Sequence, residues 1–308
     1  MSEQRPEEPP VPDADIPATP ALPSLKQALA RGRQLLGARS GDDASREASF
    51  LLTGVLGTTV GEAALQGDRR LSADEWDEYQ QRLARRARGE PLQYIEGRAA
   101  FRQLLLRVDR SVLIPRPETE QLVEHVLDWC RGKEALVGLD LGTGCGAIAL
   151  SLAQEGPFES VVAVDISGEA LNVARVNASE AGVAGRVDLR LGSLFEALRP
   201  GERFHVIVSN PPYVAEGEAV SLPEEVRDWE PAVALFAGPT GMEVISEIVE
   251  ASPGYLRPGG LLAFEVAPTV ADPAVECIRK CAVYGEPRVA HDLAGQRRVV
   301  LAELGASR

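Results

Sequence analysis

Histidine and cysteine are scarce in this 308-residue chain, with three of the first and four of the second. Cys130, Cys145, Cys277 and Cys281 include no C-x-x-C pair, and His125, His205 and His291 are too few for a usual metal-ligand set. No metal site is expected, and reduced thiols fit the cytoplasm. Basic residues are outnumbered, 32 Lys and Arg against 46 Asp and Glu, for a formal net charge of −14. That balance weighs against tight non-specific binding of nucleic acid, which needs cations against phosphates. No stretch holds the roughly 18 consecutive apolar residues of a membrane-crossing helix. The start of the chain also lacks the charged-then-apolar pattern of a secretory signal. A cytoplasmic protein with no membrane partner is the expectation. A monomer is the default, because no feature asks for more.

What is present has the composition of an ordinary globular protein, and the length is enough for two domains. Residues 1–23 hold seven prolines and five acids against one arginine, which reads as a disordered tail. From Ser24 the spacing turns helical, with Leu25, Ala28, Leu29, Gly32 and Leu36 on one face. Ala44, Ala48, Leu51, Leu52 and Val55 follow on a second helix. Ser72-x-x-Glu75 is a capping-box signal for a third, with Trp76, Tyr79 and Leu83 on its inner side. Its end, from Arg82 to Arg88, carries four arginines and reads as a solvated, dipole-matched helix terminus. Residues 24–88 are therefore expected to form a helical domain that recognises a macromolecular substrate. Residues 89–112 break the helical period and suggest a hairpin linker.

The remainder, 113–308, alternates strands with helices, as a parallel, doubly wound α/β sheet requires. Pro115 and Pro117 stiffen the entry to a helix from about Glu118 to Cys130. The expected strands are 136–140, 161–165, 187–191, 204–209, 261–266 and 297–302, with helices at 168–181, 241–255 and 269–281. After the first strand, Leu141-Gly-Thr-Gly-Cys-Gly146 is a glycine turn that lets backbone approach a ligand closely. Its G-x-G-x-G spacing differs from the dinucleotide G-x-G-x-x-G. The second strand ends in Asp165, placed to accept hydrogen bonds from both hydroxyls of a ribose.

The most informative stretch is Val206-Ile-Val-Ser-Asn-Pro-Pro-Tyr213. A buried strand runs into two prolines that cannot continue a ladder. The outcome is a stiff corner at a strand's carboxyl end, where open α/β sheets bind ligands. Asn210 offers a side-chain carbonyl and Pro211 a backbone one. Together they can accept both hydrogens of a primary amide or amine. Acceptors there favour a transition state in which that nitrogen turns positive. Tyr213 can stack on such a planar group.

The glycine turn with Asp165 resembles the S-adenosylmethionine site of the seven-stranded, Rossmann-like (class I) methyltransferases. Asn-Pro-Pro-Tyr at 210–213 is similar to the motif of those members that methylate planar amide or amino nitrogens. Ile-Pro-Arg-Pro-Glu-Thr-Glu at 114–120 looks like the element typical of the release-factor glutamine N5-methyltransferases, and the closing Asp-Leu-Ala-Gly at 292–295 extends the likeness. The resemblance implies methylation, by S-adenosylmethionine, of the glutamine in the Gly-Gly-Gln loop of peptide chain release factors, with S-adenosylhomocysteine as product. Carried over residue by residue, Gly142, Thr143, Gly144, Cys145 and Gly146 would hold the methionine part of the cofactor. Asp165 would hold the ribose, and Leu194 would pack on the adenine ring. Ser193 stands where many members have an acid near the adenine amino group. Asn210, Pro211 and Pro212 would bind the substrate amide with Tyr213 against it, while Arg116 to Glu120 and Phe101 would shape the pocket mouth. The competing reading is an adenine-N6 methyltransferase acting on DNA or RNA, since an adenine amino group fits the same corner. The acidic balance and the 114–120 segment weigh against it.

Overall fold

A computed structural model describes residues 21–292 and 294–305. Residues 1–20 of the expected tail and Leu293 of the closing motif lie outside the described residues. By its contacts the chain divides after Ala87 into two compact units.

The first unit is helical. Ser24 caps α1 (Leu25–Ser40) by a reciprocal capping box with Gln27. α2 spans Ala44–Leu56 and ends at Gly57 in the left-handed conformation. A second capping box, Thr59 with Glu62, opens the short α3 (Val60–Leu65), an element the spacing had not suggested. Ser72 and Glu75 exchange hydrogen bonds at 2.8 and 3.1 Å as their signature predicts, opening α4 (Ala73–Ala87). Gly32 explains how closely these helices pack. A Cβ there would stand 2.2 Å from the Tyr79 hydroxyl, which reaches past α1 to donate to the Ala48 carbonyl on α2 at 3.1 Å. The arginine-rich end of α4 is not uniformly solvated. Arg86 is buried and clasps the equally buried Glu47 of α2 through two bonds of 2.6 and 2.9 Å. A guanidinium with a carboxylate facing it across a helix pair sits inside rather than out. Trp76 is only half-buried, beneath Arg31.

The second unit opens with α5 (Leu92–Glu96) and a tight hairpin, β1 (Arg98–Phe101) and β2 (Leu104–Arg107). The hairpin is docked rather than loose. At its turn Arg102 grips Glu155 and Glu124 and the Glu120 carbonyl. Asn177 mimics a strand partner, accepting from the Arg107 amide at 2.7 Å and donating to the Arg107 carbonyl at 3.1 Å.

The chain continues through α6 (Pro117–Cys130), β3 (Leu136–Leu141), α7 (Ala147–Glu155), β4 (Phe158–Asp165), α8 (Gly168–Glu180), β5 (Val187–Leu191) and β6 (Phe204–Ser209). Two single-turn helices, α9 (Glu224–Arg227) and α10 (Ala232–Leu235), interrupt the long loop that follows. α11 (Glu243–Ala251), β7 (Leu256–Glu265), α12 (Ala271–Lys280), β8 (Arg288–His291) and β9 (Arg297–Glu303) complete it. Seven strands form one sheet in the order β5-β4-β3-β6-β7-β9-β8. The first five are parallel, but β9 runs antiparallel to both β7 and β8, so the sheet is not parallel throughout. Side chains alternate across it as a pleat requires. Val206, Val208, Leu261 and Ala263 join Leu122, Val126 and Ile148 from α6 and α7 on one face. Leu139, Ile207, Leu262 and Phe264 join Ile245, Ile248 and Ile278 from α11 and α12 on the other.

Candidate active site

β3 and β6 are neighbours, yet the chain leaves β3 towards β4 on one side and leaves β6 towards β7 on the other. Such a switch point opens a crevice at the carboxyl ends of the strands. Here it is a cavity of about 280 Å³, lined by the turn after β3, by Asp165 and Ile166 at the end of β4, by Gly192, Ser193 and Leu194 after β5, and by Asn210 and Pro212 after β6.

The glycine turn is shaped for close approach. Gly142, Gly144 and Gly146 all have positive φ, at 71°, 55° and 90°. L side chains adopt that conformation at a cost of about 1–2 kcal/mol each. A Cβ on Gly142 or Gly144 would meet no atom within 4 Å, and both residues line the cavity; a side chain at either would project into the space a ligand needs. Gly146 instead caps α7, where a Cβ would stand 3.0 Å from Leu150, and it is not a lining residue. Beneath the turn the Cys145 carbonyl accepts from Asn177 at 2.9 Å. Burial pushes the Cys145 thiol up to about 12, so it stays neutral and serves packing rather than nucleophilic chemistry.

Two acids organise the floor. Asp140 is fully buried; its Oδ2 accepts from the Thr143 hydroxyl at 2.7 Å and the Ala149 amide at 3.1 Å. Asp165, 9% exposed, accepts from the Gly144 amide on one oxygen and the Ser167 amide on the other, both at 2.8 Å. Its carboxylate is thus held in one orientation with lone pairs left for a ligand. Burial raises its pKa from the ordinary range, against those backbone donors.

Asn210 belongs to a chain of hydrogen bonds across three elements. Its Nδ2 donates to Thr119 Oγ1 in the first turn of α6 at 3.1 Å, and the Thr119 hydroxyl donates to Glu265 at the end of β7 at 2.7 Å. The Tyr213 hydroxyl donates to the other Glu265 oxygen at 3.1 Å. Glu265 is 1% exposed, and burial raises its carboxyl pKa although Thr119 and Tyr213 oppose the rise. Burial and the adjoining Glu265 also keep the Tyr213 phenol neutral.

The structure therefore brings Gly142, Thr143, Gly144, Cys145, Asp165, Leu194, Asn210, Pro212 and Arg116 to one cavity. Pro211 is buried at the corner. Tyr213, expected against a substrate, is not among the lining residues: its ring packs with the α11/α12 side of the core and its hydroxyl is taken by Glu265. Phe101, expected at the pocket mouth, is fully buried in the other core cluster, because the docked hairpin turns it inward. Arg116 does line the cavity, and its guanidinium is paired with the buried Glu230. Among the described residues no group of His, Cys, Asp or Glu could hold a metal ion. No described helix is long and apolar enough to cross a membrane.

Two family models match, the PrmC N-terminal domain over residues 27–97 and the methyltransferase small domain over residues 118–225. A release factor glutamine methyltransferase of Koribacter versatilis is 43% identical over 76% of this chain and 82% of its own length. Its counterpart in Moorella thermoacetica is 38% identical over 91% and 98%.

The chain belongs to the release factor glutamine methyltransferase family. Solved structures add likeness of fold. A 16S rRNA methyltransferase of T. thermophilus, in complex with AdoMet and guanosine, aligns at TM-score 0.52 and 20% identity over 67% of this chain and 49% of that one. A methyltransferase from Pyrococcus furiosus aligns at 0.50 and 20% over 67% and 90%. Within this family member, reasoning from sequence overlooked Glu265 as a partner of Asn210 and Ile166 as a cavity wall. It also overlooked the loop at 231–236, whose Pro231, Val233, Ala234 and Phe236 close one side of the cavity. Only Glu265 carried a readable signal, an acid closing an apolar strand.

Proposed function

We propose that this enzyme transfers a methyl group from S-adenosylmethionine to the side-chain amide nitrogen (N5) of the glutamine in the Gly-Gly-Gln loop of peptide chain release factors, in the cytoplasm, releasing S-adenosylhomocysteine. The observation that carries the reading is Asn210, fixed at the carboxyl end of β6 in the same cavity as the glycine turn and Asp165. The open cradle above Gly142 and Gly144 fits the cofactor, as does the oriented carboxylate of Asp165. When bound, it supplies a methyl group on a positively charged sulfur. The backbone of 142–145 would hold its methionine part, Asp165 its ribose, and Leu194 with Ile166 its adenine. With Ser193 in place of an acid, adenine recognition would lean on these apolar walls.

Asn210 Oδ1 and the Pro211 carbonyl would accept the two hydrogens of the substrate amide. An amide nitrogen is a poor nucleophile, and fixed acceptors favour it as its hydrogens become acidic. No general base is needed, because the methylated nitrogen can lose its proton to water. The protein's contribution is orientation, which can supply roughly 7–11 kcal/mol of a barrier, together with these acceptors. The test is label transfer from S-adenosylmethionine to release factor, to a release factor whose loop glutamine is alanine, and to DNA and RNA in parallel. Label on intact release factor alone is expected. Label on nucleic acid would overturn the substrate while leaving the fold standing.

A further inference from the structure

Asn210 is useful to an amide substrate in only one of its two orientations. With Oδ1 towards the cavity it accepts; rotated by half a turn it would present Nδ2, a donor, and repel the substrate's N–H groups. The two orientations have nearly the same shape, so packing cannot choose between them. The choice falls to the hydrogen-bond partner that the rest of the fold holds beside the amide. That partner is Thr119, 4% exposed, whose Oγ1 lies 3.1 Å from Asn210 Nδ2 and 2.7 Å from Glu265 Oε2. A hydroxyl has one proton to give. Glu265 accepts at both of its oxygens, from Thr119 on one and from Tyr213 on the other, so it takes that proton and leaves Thr119 with lone pairs facing Asn210. Those lone pairs are satisfied by an NH2 group and by nothing Oδ1 can offer. Tyr213 donates to the second oxygen of Glu265 at 3.1 Å, holding the carboxylate in place from the other side.

We propose that Thr119 and Glu265 are positioning residues that lock the Asn210 amide with Oδ1 facing the substrate, and thereby make the site prefer glutamine over glutamate. The inference rests on the reading of the site as a glutamine methyltransferase. A glutamate carboxylate in that place would set acceptor against acceptor at both Asn210 and Pro211. Buried polar groups facing the wrong partner are how a site rejects a near-isostere. Tyr213 thus supports the lock by holding Glu265 through its hydroxyl.

The test uses the full chain and three variants: Thr119→Val, which keeps the shape but loses the hydroxyl, Thr119→Ser, which keeps the hydroxyl, and Glu265→Gln, which can donate where Glu265 cannot. In the unliganded chain, hydrogen exchange of the Asn210 side-chain NH2, assigned by its loss in Asn210→Asp, reads the lock directly. It should be slow in the unaltered chain and in Thr119→Ser, and about tenfold faster or more in Thr119→Val and Glu265→Gln. With cofactor and release factor, Thr119→Val and Glu265→Gln should lose about tenfold or more in kcat at an unchanged cofactor Kd, and Thr119→Ser should restore it. Discrimination between release factor and its Gln→Glu loop variant, read as a ratio of Kd values, should narrow in Thr119→Val and Glu265→Gln. Unchanged exchange and unchanged discrimination in Thr119→Val would overturn the proposal. Should the unaltered chain fail to label release factor, the substrate reading falls, while the exchange measurement still decides whether the lock exists.

Discussion

Asp140 is where a change of pH should be felt in the fold. It is wholly buried at the end of β3, and its carboxylate is only half satisfied. Oδ2 has two donors, whereas Oδ1 has no hydrogen-bond partner among the described residues. Burial, with a smaller push from Asp165, raises its pKa from 3.8 to about 7, although the two donors oppose the rise. A group that holds its proton more tightly when folded stabilises the fold fully below its unfolded pKa. That contribution is lost as pH climbs through the folded value. For Asp140 the loss runs from about pH 4 to about pH 7 and then levels off. At about 1.4 kcal/mol per pH unit the whole span is on the order of 4 kcal/mol. Asp140→Asn carries no charge in either state. Urea unfolding of both chains, followed by far-UV circular dichroism from about pH 4 to about pH 8, should therefore show the variant gaining a few kcal/mol relative to the unaltered chain as pH rises. Asp165, Glu230 and Glu265 are raised by burial as well, and their effect on the slope largely cancels in the difference. A difference that stays flat across this window would mean that Asp140 ionises at no cost, and the reasoning from its burial and its unpartnered oxygen would fail.

Three further outcomes are expected. Asn210→Ala should lower kcat towards release factor by about 10²–10³, the usual cost of deleting one fixed transition-state partner, with cofactor Kd little changed by calorimetry; a near-normal rate would sink the mechanism. Asp165→Ala should weaken cofactor binding by roughly ten- to a hundredfold, the value of a hydrogen bond to a charged group, and an unaltered Kd would remove Asp165 from the site. Arg86→Met should leave the buried Glu47 carboxylate without its cation, with the Ser40 hydroxyl still donating to it, and cost the helical unit about 3 kcal/mol. Pairing it with Glu47→Leu should recover most of that, and urea midpoints that fail to recover would point to a role beyond the ion pair.

The fold was legible wherever a local signal was strong. Ser72-x-x-Glu75 marked the start of α4, and short apolar runs marked β3, β4 and β6. Thr59-x-x-Glu62 is the same capping signature, but it opens a helix of six residues, too short for a hydrophobic period to register. β8 spans only Arg288–His291 after a proline and is a strand because β9 lies beside it. No property of the 288–291 segment taken alone requires that. The direction of β9 was hidden for a related reason. A helix between two strands ordinarily signals a right-handed crossover to a parallel partner. Here β8 is inserted between α12 and β9 and the chain turns back, so β9 meets β7 antiparallel.

The candidate site divides along the same line. Residues proposed to touch ligand sit at strand ends and in glycine turns, where local sequence dictates the backbone, and Gly142, Gly144, Asp165 and Asn210 could be picked out one by one. Residues that orient them are remote: Thr119 is 91 positions from Asn210, and Glu265 is 146 from Thr119. Aromatic residues were the hardest to place, because a ring beside a binding motif suggests stacking, whereas burial decides which of its faces is free. Phe101 went to the core and Tyr213 to Glu265. One clue was still available in β7, where Leu261-Leu-Ala-Phe-Glu-Val266 places a single acid inside an apolar run. A buried carboxylate must be met by donors. An acid closing a central strand beside the one that carries the substrate corner has few places to find them except behind that corner. Glu265 therefore marks, in the sequence itself, the support that reaches Asn210 through Thr119.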